Sequence, residues 1–160
     1  MEFLSKILNA YKGYYTVTED NVTAPFDAQA DFKAHGERYI LVKAAKIADI
    51  DTNEFVYFKA ENQLNSQKLA DLAQAAWDAG VGRVEPYYGH KCTDITLIIA
   101  AEKVTEDAKQ LAKKIKHYKS YKFSIYGYSH FKLAVKELST NQIFTNRMGS
   151  DLKKLLLNIN

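Results

Sequence analysis

Residues 94–101 read DITLIIAA, a run in which six of eight positions are apolar. Whichever way such a strand is turned, apolar side chains face both sides, so it belongs in the middle of a covered sheet. The chain around it supplies the covers. Asn65 or Ser66 can cap a helix in which Leu69, Leu72, Ala73, Ala76 and Trp77 line one face. Gly80 and Gly82 are expected to end that helix, since glycine accepts the left-handed conformation of a C-cap. On the other side, Thr105 can cap a second helix with Glu106 and Asp107 in its first turn. Ala108, Leu111, Ala112 and Ile115 form the buried stripe of that helix, while Lys109, Lys113 and Lys116 share another face.

Toward the N-terminus, residues 54–61 (EFVYFKAE) are dense in aromatic and β-branched residues and read as a strand. Residues 38–48 read as another, and residues 26–35 as a third, half-exposed one, with Ala28, Ala30, Phe32 and Ala34 alternating against polar neighbours. Gly36 and the turn-rich DIDTN of residues 49–53 connect the three into an antiparallel meander. Residues 16–25 are polar and read as loop. Before them, Phe3, Leu4, Ile7, Leu8, Tyr11 and Tyr15 recur at helical spacing, an amphipathic helix expected to dock on the domain's own core. Toward the C-terminus, strands are expected at residues 121–126 and 131–138, joined around Gly127, then at 142–146, with a short helix over 151–159. The order is α-β-β-β-α-β-α-β-β-β-α. It describes one α+β domain over residues 1–160, a mixed sheet with an N-terminal meander and a C-terminal hairpin packed by helices.

Composition sets further bounds. At 160 residues, 47% hydrophobic and 26% charged, the chain has the make-up of a globular domain rather than a disordered one. One cysteine, Cys92, excludes an internal disulfide and fits a reducing compartment. The N-terminus lacks the pattern of a signal peptide and no apolar run is long enough to span a bilayer, so the expectation is a soluble cytoplasmic protein without a membrane partner.

Charge is placed unevenly. Residues 108–136 hold eight lysines, two histidines and six aromatic residues with no Asp or Glu, in a chain whose net charge is only +3. Lysines contact phosphates and aromatic rings stack on unpaired bases, so this composition suits single-stranded nucleic acid or another anionic ligand. The candidate binding residues are Lys113, Lys116, Lys119, Lys122, Tyr126, Tyr128, His130 and Lys132, together with His90 in the loop before the central strand. Alternation turns one row of these aromatics inward, so the lysines also read as the solvated face of an ordinary sheet and helix.

The run HYKSYKFSIYGYSHFKLAVKEL, followed by IFTNRMG, resembles a family of small uncharacterised prokaryotic proteins. That family shows a Lys-Ser-aromatic strand, a Gly-aromatic turn, an apolar strand and a Thr-Asn-Lys/Arg-x-Gly ending. Glu85, Pro86 and His90 are similar to its Glu-Pro then His pattern, and an acidic residue stands near the position of His130 in that pattern. The resemblance implies a single domain and assigns no activity.

Other chemistry is sparse. The opening α-β-β-β-α-β is also the element order of restriction-endonuclease-like folds, which need an acid on the second strand and Glu-x-Lys or Asp-x-Lys on the third. Here the third strand offers Lys59-Ala60-Glu61 in reverse order, the second only Glu37, and Asp31-Phe32-Lys33 falls on the first. Histidines 35, 90, 117 and 130 and Cys92 show no paired metal-ligand spacing; the nearest approach is His90-Lys91-Cys92. No metal or cofactor is therefore expected, and no catalytic residue is assigned. The leading expectation is a non-enzymatic module binding an anionic ligand. The alternatives are a small nuclease-like enzyme in which His90 meets Asp49, Asp51 or Glu54, and a protein-interaction domain using Tyr87, Tyr88, Tyr126 and Tyr128.

Overall fold

The computed structural model describes residues 2–33, 52–88 and 90–159. Its elements are α1 (Glu2–Lys12), β1 (Thr16–Thr18), β2 (Ala28–Phe32), β3 (Thr52–Leu64), α2 (Ser66–Arg83), β4 (Cys92–Val104), α3 (Glu106–Lys114), β5 (Tyr118–Ser120), β6 (Tyr128–Glu137), β7 (Gln142–Thr145) and α4 (Leu152–Leu157). The order is the one expected, α+β, and the sheet is mixed. Its strands run β1-β2-β3-β4-β6-β5, with β7 also paired to β6. β1, β2 and β3 form an antiparallel meander, and β3, β4 and β6 are parallel to one another. β5 and β7 lie along the same edge of β6, at its N-terminal and C-terminal halves respectively.

The central strand explains the layering. β4 is buried continuously from Cys92 to Ala101, because each of its faces carries a helix pair. Ile95, Leu97 and Ile99 meet Leu69, Leu72 and Ala76 of α2 and Ala108 and Ala112 of α3. Ile98 looks the other way, into a core with Ile7, Leu8 and Tyr11 of α1 and Leu152 and Leu156 of α4. The amphipathic α1 thus docks on its own domain. Asn65 caps α2 by accepting from the Lys68 N–H at 2.8 Å, and Thr105 accepts from Ala108 N–H at the start of α3. No helix of the described residues is long and apolar enough to cross a membrane.

Several element bounds differ from expectation for identifiable reasons. β1 forms within the polar 16–25 segment, so the meander's described strands are β1, β2 and β3; the strand expected at 38–48, with Glu37, Asp49 and Asp51, lies outside the described residues. α2 runs through Gly80 and Gly82 to Arg83. A Cβ on Gly80 would stand 2.6 Å from the Ile95 side chain, so this glycine permits close helix-to-sheet approach rather than ending the helix. The strand expected at 121–126 is a turn: Lys122, Phe123 and Ser124 take φ of 49°, 53° and 72°. Of the alternating row Tyr121, Phe123 and Ile125, only Tyr121 reaches the core, so the period of two has nothing to pack on.

Candidate nucleic-acid interface

The β5–β6 hairpin carries the basic-aromatic stretch. Its register sets Tyr118 opposite His130 and Ser120 opposite Tyr128, so period-two geometry puts Tyr118, Tyr128 and His130 on one face. The three rings touch: centroids lie 6.1 Å apart for Tyr118–Tyr128, 5.2 Å for Tyr118–His130 and 5.0 Å for Tyr128–His130. Tyr118 and Tyr128 are exposed and His130 half-buried. Burial, then the positive charges of Lys116 and Lys132, hold the His130 imidazole below its ordinary value. At neutral pH it therefore contributes a neutral ring to this platform. Tyr118 was absent from the residues singled out in the sequence, because only the hairpin register reveals that it faces His130.

The lysines of the stretch divide. Lys113 on α3, Lys116 ahead of β5, and Lys119 and Lys122 of the hairpin are exposed. Lys119 lies over the Tyr121 ring at 5.7 Å and Lys122 over the half-buried Tyr126 at 5.9 Å. Lys132 is not part of this surface. It is buried, 3.2 Å from Asp94 and 3.1 Å from Asp151. Burial pushes its ammonium down, but Glu54, Asp94 and Asp151 together outweigh that and lift it above the usual lysine range. Alternation marked it as solvent-facing; α1 and α4 cover that face of β6 instead. Lys136 is buried too and donates to the carbonyls of Leu156 and Ile159 at the C-terminal end of the chain, where a helix end favours a cation.

His90 is occupied rather than open. It is buried, its Nδ1 lies 2.7 Å from the Tyr126 carbonyl and its Nε2 2.8 Å from Thr93 Oγ1. With Nδ1–H donating to the carbonyl, Nε2 accepts from the threonine hydroxyl, and the ring fastens the 121–127 turn to the sheet. It does not meet Glu54, which takes hydrogen bonds from Tyr15 and Thr96 in the core beneath α1. Burial raises the carboxyl groups of both Glu54 and Asp94. Tyr87 and Tyr88 are exposed on the loop that leads to His90.

Two further polar places are built around β2 and β3. A cleft of about 420 Å³ opens on the opposite face from the ring platform, between Asp31, Asn53, Phe55, Arg83 and Glu85, with Tyr87, His90 and Thr93 on its wall. There Arg83 pairs with Asp31 and lies 4.1 Å over the Phe55 ring. The other is Asp27, just ahead of β2. Its carboxylate accepts from the Ala60 N–H at 2.7 Å and stands 3.5 Å from the Lys59 ammonium. Glu61 pairs with Lys68 at 3.1 Å. Among the described residues, no three of His, Cys, Asp and Glu gather as metal ligands.

The family model of a domain of unknown function, DUF8052, matches residues 1–158. The chain belongs to that family. No curated protein and no solved structure matches it. In this member of the DUF8052 family, the motifs noted above act as fasteners. Asn146 of Thr-Asn-Arg-x-Gly is buried and bonded to four backbone groups. A Cβ on Gly149 would stand 2.5 Å from the Leu133 carbonyl oxygen. Tyr121 of Lys-Ser-Tyr bonds Ser129 at 2.9 Å, and Gly127, at φ 84°, has the Lys91 carbonyl 2.4 Å from where a Cβ would be. Tyr121 and Gly127 thus hold the β5–β6 hairpin and its rings, while Asn146 and Gly149 fasten the β6–β7 end of the sheet.

Proposed function

We propose that this DUF8052 protein binds single-stranded nucleic acid through the β5–β6 edge. The observation that carries the reading is the contact cluster of Tyr118, Tyr128 and His130 at the exposed N-terminal end of β6, beside the exposed Lys116 whose charge acts on His130. Bases stack on such rings whatever their sequence, at about 1–3 kcal/mol per base, and lysines meet the phosphates between them. A neutral His130 suits stacking better than a charged one, which would hold a hydration shell. Paired strands keep their base faces hidden, so the rings favour an unpaired ligand.

Fluorescence anisotropy with a labelled pyrimidine oligonucleotide tests this. The exposed Lys116 and Lys122, at about −0.7 per phosphate contact, give a log–log salt slope of about −1.4, or roughly sevenfold weaker binding between about 50 and about 200 mM salt. Tyr118→Ala with Tyr128→Ala is expected to weaken binding roughly tenfold or more while leaving that slope alone. Absence of any binding at low salt sinks the proposal. A wild-type affinity in the double variant would move the ligand away from the rings.

A second reading, a metal-dependent nuclease, draws on one observation. The acid that reading requires on the second strand has a counterpart in Asp27, immediately before β2 and beside Lys59-Ala60-Glu61 of β3. Two carboxylates and a lysine can hold a divalent ion and activate water, although here the acid and lysine of the third strand are exchanged. The same oligonucleotide incubated with Mg²⁺ or Mn²⁺ should then be cut, and Asp27→Ala should stop the cutting. An intact oligonucleotide with either ion removes this reading.

A further inference from the structure

We infer that Phe123, at the tip of the β5–β6 turn, is a wedge that inserts between adjacent bases of the bound strand; this rests on the nucleic-acid reading and assigns a residue to it. Phe123 is 99% exposed, and Ile125 beside it 60% exposed. An apolar ring of that size held wholly in water makes no contribution to the core, so its position is not explained by folding. The backbone carrying it is unusual as well. Lys122, Phe123 and Ser124 are all left-handed, a conformation disfavoured for every residue with a Cβ. Such a conformation persists only where the surroundings impose it, and it marks places where a fold presents something.

The surroundings here are specific. Within the turn, Ile125 N–H donates to Lys122 C=O at 3.0 Å, Tyr126 N–H to Tyr121 C=O at 3.1 Å and Gly127 N–H to Ser124 C=O at 3.2 Å. At its base, the Tyr126 carbonyl is held by His90 and the Tyr128 N–H donates to Lys91 C=O at 3.0 Å. Buried Gly127 fills the remaining space so closely that no Cβ fits. The turn is thus braced from below while its tip points away. A ring with two rotatable bonds on a braced turn loses little freedom when it enters a stack, which is what a wedge between bases requires.

The choice of nucleic acid over a lipid surface follows from what surrounds the tip. Phe123 belongs to the hairpin that carries the rings of Tyr118, Tyr128 and His130, and the exposed Lys122 precedes it at the tip. Bases stacked on those rings would continue toward the tip, where Lys122 can meet a phosphate. A membrane anchor, by contrast, needs a broad apolar face, and this tip offers one ring and one isoleucine.

The test uses the full chain and a single-stranded oligonucleotide with one 2-aminopurine. Wild-type protein is expected to change the 2-aminopurine emission on binding. Phe123→Ala is expected to lose roughly tenfold or more in affinity and most of that change, with an unaltered salt slope and an unaltered melting temperature, since alanine meets the same backbone demand and the ring packs on nothing. Phe123→Trp should keep the affinity and show quenching of a tryptophan signal above that of Trp77. Wild-type binding that Phe123→Ala leaves unchanged overturns the wedge while the binding reading stands. Loss of binding to phosphatidylserine vesicles in Phe123→Ala, with oligonucleotide binding intact, overturns it in favour of a lipid contact. No oligonucleotide binding by the wild type overturns both.

Discussion

Asn146→Ala is expected to cost about 3–5 kcal/mol of stability, a large share of the roughly 5–15 kcal/mol that holds a domain of this kind. The side chain is 2% exposed and uses all of its ordinary capacity. Its Oδ1 accepts from the N–H groups of Leu133 and Gly149, both at 2.9 Å. Its Nδ2 donates to the carbonyls of Phe131 at 2.9 Å and Ile115 at 3.0 Å. It therefore continues the β6–β7 ladder past the end of β7 and ties it to the residue that ends α3. Alanine would strand four buried backbone groups at once. Asn146→Asp separates this account from a simple loss of volume: it has the same shape but turns two donors into acceptors facing two carbonyls, and should be at least as damaging at neutral pH. Urea unfolding of both variants gives the comparison. An Asn146→Asp protein as stable as wild type would show that the amide donors contribute little.

Lys132→Met should be comparably severe, about 3–5 kcal/mol near neutral pH, because it leaves Asp94 and the adjacent Glu54 without their buried cation. The cost depends on pH in a definite direction. Burial already raises both carboxyl groups in the folded protein, and removing Lys132 takes away the leading influence that lowers them. An acid with a raised folded value binds its proton more tightly folded than unfolded. It therefore favours folding at low pH and loses that contribution as pH rises through the window between the ordinary carboxyl value and the raised one. The Lys132→Met penalty should accordingly be largest near neutrality and shrink as pH falls toward the ordinary carboxyl range. Adding Asp94→Asn should recover part of it at neutral pH. Urea midpoints across this range measure the effect; a penalty that grows on acidification contradicts the assignment.

Much of the fold was legible in local chemistry. The doubly apolar DITLIIAA located the central strand, helical spacing located α1 and its buried face, and side-chain capping at Asn65 and Thr105 located two helix starts. These signals are local because backbone groups at a helix end, or apolar residues on a strand, must be satisfied wherever the chain goes. The site was less legible. The excess of charge in residues 108–136 was real, yet Lys132 and Lys136 turned out to be interior. Alternation reports which residues share a face, not whether another element covers that face.

The same distinction holds for the hairpin. Tyr121, Phe123 and Ile125 alternate as a strand would, but β5 must reverse to meet β6 and the chain spends these residues on the reversal. Asp27 illustrates the converse. It looked like one polar residue of a first strand, and only the antiparallel pairing of β2 with β3 sets it beside Lys59. What the amino-acid sequence determined by itself is the order of elements, the buried strand at the centre and the presence of a basic, aromatic segment. Which of its lysines face water, and that Tyr118, Tyr128 and His130 form one platform, was decided by the tertiary structure. The reason is physical: burial and ring contact depend on strand register and on helices distant in the chain, and neither is written in the spacing of neighbouring residues.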